Sequence, residues 1–143
     1  MSSLPPRLQK PLTDAHVRLY RATGGRLGGR FRGAPVMLLD HVGRKSGAHR
    51  TTPLMYTRDG DEVLLIASNG GDVKHPAWFH NVKAAEKARV TIGPESWDVT
   101  VRVAEEPERT RLWKKMTDVY ALYDEYQERT ERQIPLVVLS RSA

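Results

Sequence analysis

The chain contains no cysteine. That absence excludes disulfide staples, thiolate metal sites and a cysteine nucleophile. It also suits a reducing compartment, because small secreted domains often depend on such cross-links. Long apolar runs are missing too: no stretch approaches the roughly 18 consecutive residues that a transmembrane helix needs. The lead-in, residues 1–12, holds Pro5, Pro6 and Pro11 and no apolar run. It does not read as a signal peptide, and the expected location is the cytoplasm. Internal repeats, low-complexity segments and long linkers are absent as well, so residues 1–143 read as one domain behind an irregular lead-in over 1–12.

Several familiar motifs fail on inspection. Lys45-Ser46 resembles the end of a P-loop, but Arg44 stands where glycine is needed and the upstream glycine spacing is wrong. Glycines 24, 25, 28, 29 and 33 do not fit the dinucleotide fingerprint, and no strand precedes them. Ser46 is not in a nucleophile elbow. His75 and His80 are five apart with no carboxylate to complete a metal set, so no metal is expected.

What is present is a soluble globular composition, 39% hydrophobic and 28% charged. Lysine and arginine number 23 against 17 acidic residues, a net of +6. The surplus is concentrated: residues 18–50 hold Arg18, Arg21, Arg26, Arg30, Arg32, Arg44, Lys45 and Arg50 against the single acid Asp40. Such a stretch favours an anionic partner, whether nucleic acid, lipid surface or phosphorylated small molecule.

Periodicity predicts a helix from Thr13 or Asp14 to Thr23, stopped by Gly24 and Gly25. Strands follow over 35–42, 49–57 and 62–68, the last two joined at the Asp59-Gly60 hairpin signal. Asn69-Gly70-Gly71-Asp72 is a loop requiring unusual backbone angles. Pro76 opens a short helix to Lys83, and strands cover 88–92 and 96–104. One long helix from Pro107 to Arg129 buries Leu112, Met116, Val119, Tyr120 and Tyr123. A last strand covers 134–139. Consecutive tight hairpins argue for antiparallel pairing, hence an α+β, mainly β fold: a small closed or half-open barrel with helices outside.

Three groups of residues stand out chemically. The turn Gly43-Arg44-Lys45-Ser46-Gly47-Ala48-His49-Arg50 gathers backbone N–H groups, a hydroxyl and three cations, which suits a phosphate. An ordinary solvated basic hairpin explains it equally well. In Asn69-Gly70-Gly71-Asp72-Val73-Lys74-His75-Pro76-Ala77-Trp78-Phe79-His80-Asn81, two glycines permit close backbone approach to a flat ligand, and a helix start follows. Trp78 and Phe79 suit a core, while Asn81 has no evident folding purpose. Tyr120, Tyr123 and Tyr126 sweep from the core face of their helix to its edge, as packing residues or as phenols at a pocket mouth.

Taken in order, Leu27-Gly28-Gly29-Arg30-Phe31, Gly43-Arg44-Lys45-Ser46-Gly47 with Arg50, Pro53-Leu54, Ala67-Ser68-Asn69-Gly70-Gly71, Pro76-Ala77-Trp78-Phe79-His80-Asn81 and residues 118–135 resemble the deazaflavin-dependent nitroreductase family of actinobacteria. The resemblance spans nearly the whole chain. It implies a split β-barrel of the FMN-binding type that binds coenzyme F420. It implies that Arg44, Lys45, Ser46 and Arg50 hold the coenzyme's anionic end. Pro53, Leu54, Met55, Ser68, Asn69, Gly70, Gly71, Lys74, Pro76, Trp78 and Asn81 would line the deazaflavin side. Ser68, Tyr120, Tyr123 and Tyr126 would serve catalysis, Ser68 near the reacting end of the ring and the tyrosines around the substrate. Met55 stands where some members have tyrosine, a departure that bears on substrate range and on nitroimidazole prodrugs.

The implied activity is F420-dependent hydride transfer to an electron-poor small-molecule acceptor such as a quinone or nitro compound. Alternatives keep the fold with FMN, or make the protein a non-catalytic coenzyme carrier. A further alternative is peripheral contact with the inner face of the membrane, with Val17, Leu19 and Tyr20 beside Arg18 and Arg21 on a basic amphipathic helix. Nucleic acid is not an expected partner, since no element is suited to enter a groove. Monomer and homodimer both remain open.

Overall fold

The structure is a computed structural model that describes residues 6–31 and 33–142, with side chains of the first helix described from Leu12 onward. Residues 1–5 of the lead-in, and Arg32 of the basic stretch, lie outside the described residues. The first helix, α1 (Pro6–Thr23), starts earlier than its capping signals indicate. Residues 6–12 are therefore helical, not irregular. Pro6 fits a first turn, where its missing N–H would have no intrahelical partner. The helix ends at the glycine stop, where Gly24 and Gly25 both take positive φ, and the Gly25 N–H bonds the Tyr20 carbonyl at 2.9 Å.

Tyr20 is not on a lipid-facing stripe. It is buried, donates to the Thr91 carbonyl and accepts from the Gly93 N–H at 2.8 Å. Arg21 likewise turns to the barrel and pairs with Asp40 at 3.0 Å. These contacts pin α1 to the strands it crosses.

Among the described residues eight strands follow: β1 (Arg30–Phe31), β2 (Ala34–Val42), β3 (His49–Met55), β4 (Thr57–Asp59), β5 (Glu62–Ile66), β6 (Lys87–Ile92), β7 (Glu95–Val103) and β8 (Leu136–Arg141). All pair antiparallel, in the order β1-β2-β6-β7-β8-β5-β4, with β3 also on β2. Strands β3 and β4 therefore stand at opposite ends of this sheet, yet only Tyr56 separates them in the chain. The sheet must curl until those ends meet, and the result is a split barrel. A single strand over 49–57 is thus broken at Tyr56, whose N–H bonds the Pro35 carbonyl instead. Pro53 lacks a donor and sits on β3, which pairs on one side only, as proline requires.

Two cores use opposite faces of the same strands. Met37, Leu39, Val63, Leu65, Val90, Val99, Val137 and Leu139 fill the barrel interior, closed by Trp78, Phe79 and Val82 of α2 (Ala77–Ala85). Leu64, Ile66, Leu136 and Val138 face outward under Leu112, Met116 and the tyrosines of two further helices. Burial on both faces explains why β5 and β8 read as continuous apolar runs. The expected long helix is two: α3 (Glu108–Val119) and α4 (Leu122–Glu128), separated where Tyr120 adopts extended angles. Among the described residues no helix is long and apolar enough to cross a membrane, and no group of three or more histidines and carboxylates is placed to hold a metal ion.

Candidate active site

A cavity of about 940 Å³ opens between the end of the barrel, α1 and the α3–α4 junction. One wall is the end of β3: Thr52, Pro53, Leu54 and Met55. A second is the loop after β5: Ser68, Asn69, Gly70, Gly71 and Asp72, continued by Pro76 and Trp78. A third is Tyr120, Tyr123, Tyr126 and Arg129. Thr13, His16 and Phe31 close the fourth side.

The loop wall is shaped by backbone freedom. Asn69 and Gly70 take positive φ, and a single 3-10 turn, Asn69–Gly71, is closed by Gly71 N–H to Ser68 O at 2.9 Å. Gly71, at φ +81°, packs against α4 so closely that a Cβ would lie 2.7 Å from the Tyr126 carbonyl oxygen. Asn69 Nδ2 donates to the Lys74 carbonyl and fastens the loop's far side. Arg132 holds the loop from outside, donating to the carbonyls of Ala67, Ser68 and Asp72 and to His75 Nδ1. Burial, followed by the charges of Arg132, His80 and Lys83, pushes the His75 imidazole below its ordinary pKa.

The break at Tyr120 gathers the phenols. In one continuous helix, steps of three would fan them apart by about 60° each. With the break, ring centroids lie 5.1 to 6.2 Å apart, and the hydroxyls of Tyr120 and Tyr126 hydrogen-bond at 3.2 Å. All three are largely buried yet border the cavity. Burial above all, then Tyr120 and Tyr126, raises the Tyr123 pKa far above the usual phenol value. This phenol keeps its proton at any physiological pH.

The basic turn lies at the other end of β3. Gly43 N–H bonds Ala48 O, Gly47 N–H bonds Gly43 O, and Ser46 Oγ accepts from the Ala48 N–H. A Cβ on Gly43 would meet Ser46 Oγ at 2.6 Å. Arg44, Lys45, Ser46 and Arg50 are exposed, and none of the three cations pairs with a described carboxylate, whereas Arg21, Arg89, Arg102, Arg111, Lys114 and Lys115 all do. Arg50 is two residues before Thr52 on the same face of β3, so roughly 7 Å of strand separates the turn from the cavity wall.

Asn81 does not line the cavity. It is buried, its Oδ1 accepts the Arg44 N–H at 3.0 Å and its Nδ2 donates to His41 Nδ1 at 3.0 Å. The other imidazole nitrogen of His41 then donates to Thr52 Oγ1 at 2.9 Å. Burial, then Arg50, lowers the His41 pKa against the opposing charge of Asp40, which fits this neutral tautomer. Asn81 thus has a folding purpose, tying the basic turn to α2 and, through His41, to β3. Lys74 is exposed and lies off the cavity wall.

A family model described as F420H(2)-dependent quinone reductase matches residues 12–141. The chain belongs to that family. Members of this quinone reductase family are oxidoreductases, and their coenzyme is F420. An F420H(2)-dependent quinone reductase of Mycobacterium tuberculosis is 45% identical over 134 residues, covering 91% of this chain and 90% of its own. A solved structure of an F420-H2 dependent reductase (FDR-A) has a TM-score of 0.69 at 39% identity, over 74% of this chain and 94% of that one. A second, described as a domain-swapped dimer, has a TM-score of 0.72 at 33% identity, over 92% and 98%.

The site fits the coenzyme of the quinone reductase family on its own chemistry. A flat ring needs a wall without side chains, and a Cβ at Gly70 would meet nothing within 4 Å. An anionic tail needs available cations, and the turn at the end of β3 has three that pair with no described carboxylate. Thr13, His16, Phe31 and Arg129 were not legible as site residues, because long-range packing alone brings α1 and the α4 terminus to the cavity. Arg132 was missed for the same reason.

Proposed function

We propose that this chain uses reduced F420 to reduce a quinone-type acceptor within the 940 Å³ cavity. The observation that carries the reading is three cations that pair with no described carboxylate at one end of β3 and a phenol-lined cavity at the other. When bound, the coenzyme supplies a hydride equivalent, which is chemistry no side chain here provides.

Arg44, Lys45, Ser46 and Arg50 bind the anionic tail: the guanidinium groups offer planar forks, the lysine a point charge and the serine a short bond. Pro53, Leu54, Met55, Pro76 and Trp78 exclude water along the ring's path, and Ser68 to Gly71 allow close approach by backbone. Asn81 acts from behind the wall by fixing the Arg44 turn, and Lys74 contributes only its carbonyl, which accepts from Asn69. Ser68 and the Tyr123 hydroxyl orient the acceptor oxygen, and Tyr123, being neutral, donates a hydrogen bond to the negative charge that builds there. Enforced proximity is the chain's main contribution, since hydride transfer requires reacting atoms about 3–3.5 Å apart.

Titration with F420, followed by its fluorescence, tests the reading. Lys45→Glu and Arg50→Glu are expected to weaken binding by at least about tenfold each, more at low salt than at high. Affinity equal to wild type in both variants, or preference for FMN, would sink it.

The exposed surface beside the cavity favours a lipophilic acceptor. Leu12, Leu19, Leu27 and Phe31 are 54%, 45%, 54% and 45% exposed, beside exposed Arg18, Arg26 and Arg30. Exposed apolar side chains interspersed in the sequence with exposed cations suit an anionic lipid surface, and Phe31 also lines the cavity. Co-sedimentation with anionic vesicles should drop sharply for Leu12→Ser/Leu19→Ser, and unchanged binding would remove the membrane from the mechanism.

A further inference from the structure

Arg132 stands in the link between α4 and β8, outside the cavity. Its guanidinium reaches four acceptors on one loop. Nε donates to Asp72 O at 2.9 Å. Nη1 donates to His75 Nδ1 at 2.8 Å and to Ala67 O at 3.3 Å. Nη2 donates to Ser68 O at 2.7 Å. The loop's internal bonds fold it on itself: Gly71 N–H to Ser68 O, Asp72 N–H to Asn69 O and Asn69 Nδ2 to Lys74 O. They do not fasten it to the rest of the molecule; besides Arg132, Arg129 Nη1 reaches the Gly70 carbonyl at 3.5 Å.

The point of attachment is also telling. Arg132 lies four residues beyond Glu128, the end of the helix that carries Tyr123 and Tyr126. The same helix meets the loop at Gly71, where the Tyr126 carbonyl leaves no room for a side chain. The two walls between which coenzyme and acceptor must meet are therefore joined through one short segment. A planar fork of donors can span four acceptors arranged this way; an ammonium cannot.

We infer that Arg132 is a positioning residue, which locks the wall of residues 68–76 to the tyrosine helix and thereby sets the distance between the coenzyme and acceptor sides of the cavity. The inference rests on the function proposed above. A lone loop-capping arginine would matter to stability only. A positioning arginine matters to turnover, because misplacement by about 1 Å can cost on the order of a hundredfold in rate.

The decisive variant is Arg132→Lys, which keeps the charge and loses the fork. Two measurements are needed. Amide hydrogen exchange over residues 68–75 of the free protein is expected to speed up by at least about tenfold, with β2, β5 and β8 unchanged. Turnover at saturating reduced F420 and a soluble quinone is expected to fall by at least about tenfold, while KM for the coenzyme stays within about threefold. Guanidinium ion added to Arg132→Ala should restore part of that turnover, and methylammonium should not. His75→Ala, which removes one of the four bonds, should show the same pattern at smaller amplitude, and it decides the matter if Arg132→Lys fails to fold. Unchanged loop exchange overturns the inference. So does a loosened loop with unchanged turnover. A wild-type chain inactive with reduced F420 would instead refute the proposed function, and the exchange data would still decide whether the clamp exists.

Discussion

Tyr123 presents a hydroxyl that bonds to no described residue, next to two phenols that bond to each other. The difference makes their replacements separable. Tyr123→Phe should lower turnover by roughly ten- to a hundredfold with little change in thermal midpoint, since only a contact to the acceptor is lost. Tyr126→Phe should cost about 1 kcal/mol of stability, because it breaks the bond to Tyr120. Steady-state kinetics beside thermal denaturation distinguishes the two. Gly71→Ala offers a sharper stability test. The new methyl would press on the Tyr126 carbonyl and the residue would keep a positive φ, so a loss of roughly 1–3 kcal/mol is expected in urea unfolding. Gly70→Ala faces open space and should cost about 1 kcal/mol. His75 adds a pH dependence. Its folded pKa lies below the unfolded value of about 6.5, so the unfolded chain takes up the proton first and stability falls as pH drops below about 6.5. Arg132, His80 and Lys83 all face it and act in the same direction. Thermal midpoints between pH 7.5 and pH 5, values spanning about 6.5, should therefore slope less steeply in His75→Gln than in wild type.

At the scale of elements, much of the architecture is legible in local pattern. The hairpin signal at Asp59-Gly60, the glycine stop after Thr23 and the apolar runs of β2, β5 and β8 each specify structure within a few residues. The boundaries that escape reading are those decided at a distance. Nothing in Val119-Tyr120-Ala121-Leu122 ends a helix by propensity. The break arises because Tyr120 is drawn into the core beside Tyr123 and Tyr126, and tertiary packing outweighs local preference. The start of α1 escaped for the opposite reason, since its prolines argued against a helix. Asn81 shows the limit of reading a site from chemistry alone. A lone polar residue in a short helix resembles a ligand contact, and only the folded structure reveals its two partners, Arg44 and His41. Asn81→Ala would leave the Arg44 N–H and His41 Nδ1 without those partners, at about 1–3 kcal/mol for each buried group. F420 affinity should fall with it as the basic turn loosens, and calorimetric titration against wild type measures that.

For the molecule as a whole, the charge is unevenly used. In the second half Arg89, Arg102, Arg111, Lys114 and Lys115 are matched to carboxylates, and Asp59 is the clearest case. Bonds from Arg111 and Lys115 lower its pKa to about 2, and through them β4 is held to α3. Because the folded value is depressed, this support is complete above the ordinary carboxylate pKa of about 3.9 and is lost as pH falls from there toward 2. Asp59→Asn should be less stable than wild type at neutral pH, and the gap should narrow in acid. Fluorescence-monitored unfolding across that window checks the sign. Among the described cations of the first third, Arg21 pairs with Asp40, whereas Arg44, Lys45 and Arg50 pair with no described carboxylate, in keeping with the anion site proposed there.

The two-sided burial of β5 and β8 carries a consequence for how the chain finds its native pairing. Val63, Leu64, Leu65 and Ile66 oppose Leu139, Val138, Val137 and Leu136, and apolar residues face apolar residues on both surfaces. In a strand with one wet face, slipping by one residue exposes the core set and is heavily penalised. Here a slip merely trades Leu for Val between two greasy compartments. Polar punctuation at the strand ends must supply the missing penalty. Glu62 accepts from Ser140 Oγ at 2.6 Å and pairs with Arg102 of β7 at 3.4 Å, so one carboxylate indexes three neighbouring strands at once. Its removal would show less in the depth of the native energy well than in the fraction of chains that arrive there, as a lowered refolding yield with off-register traps.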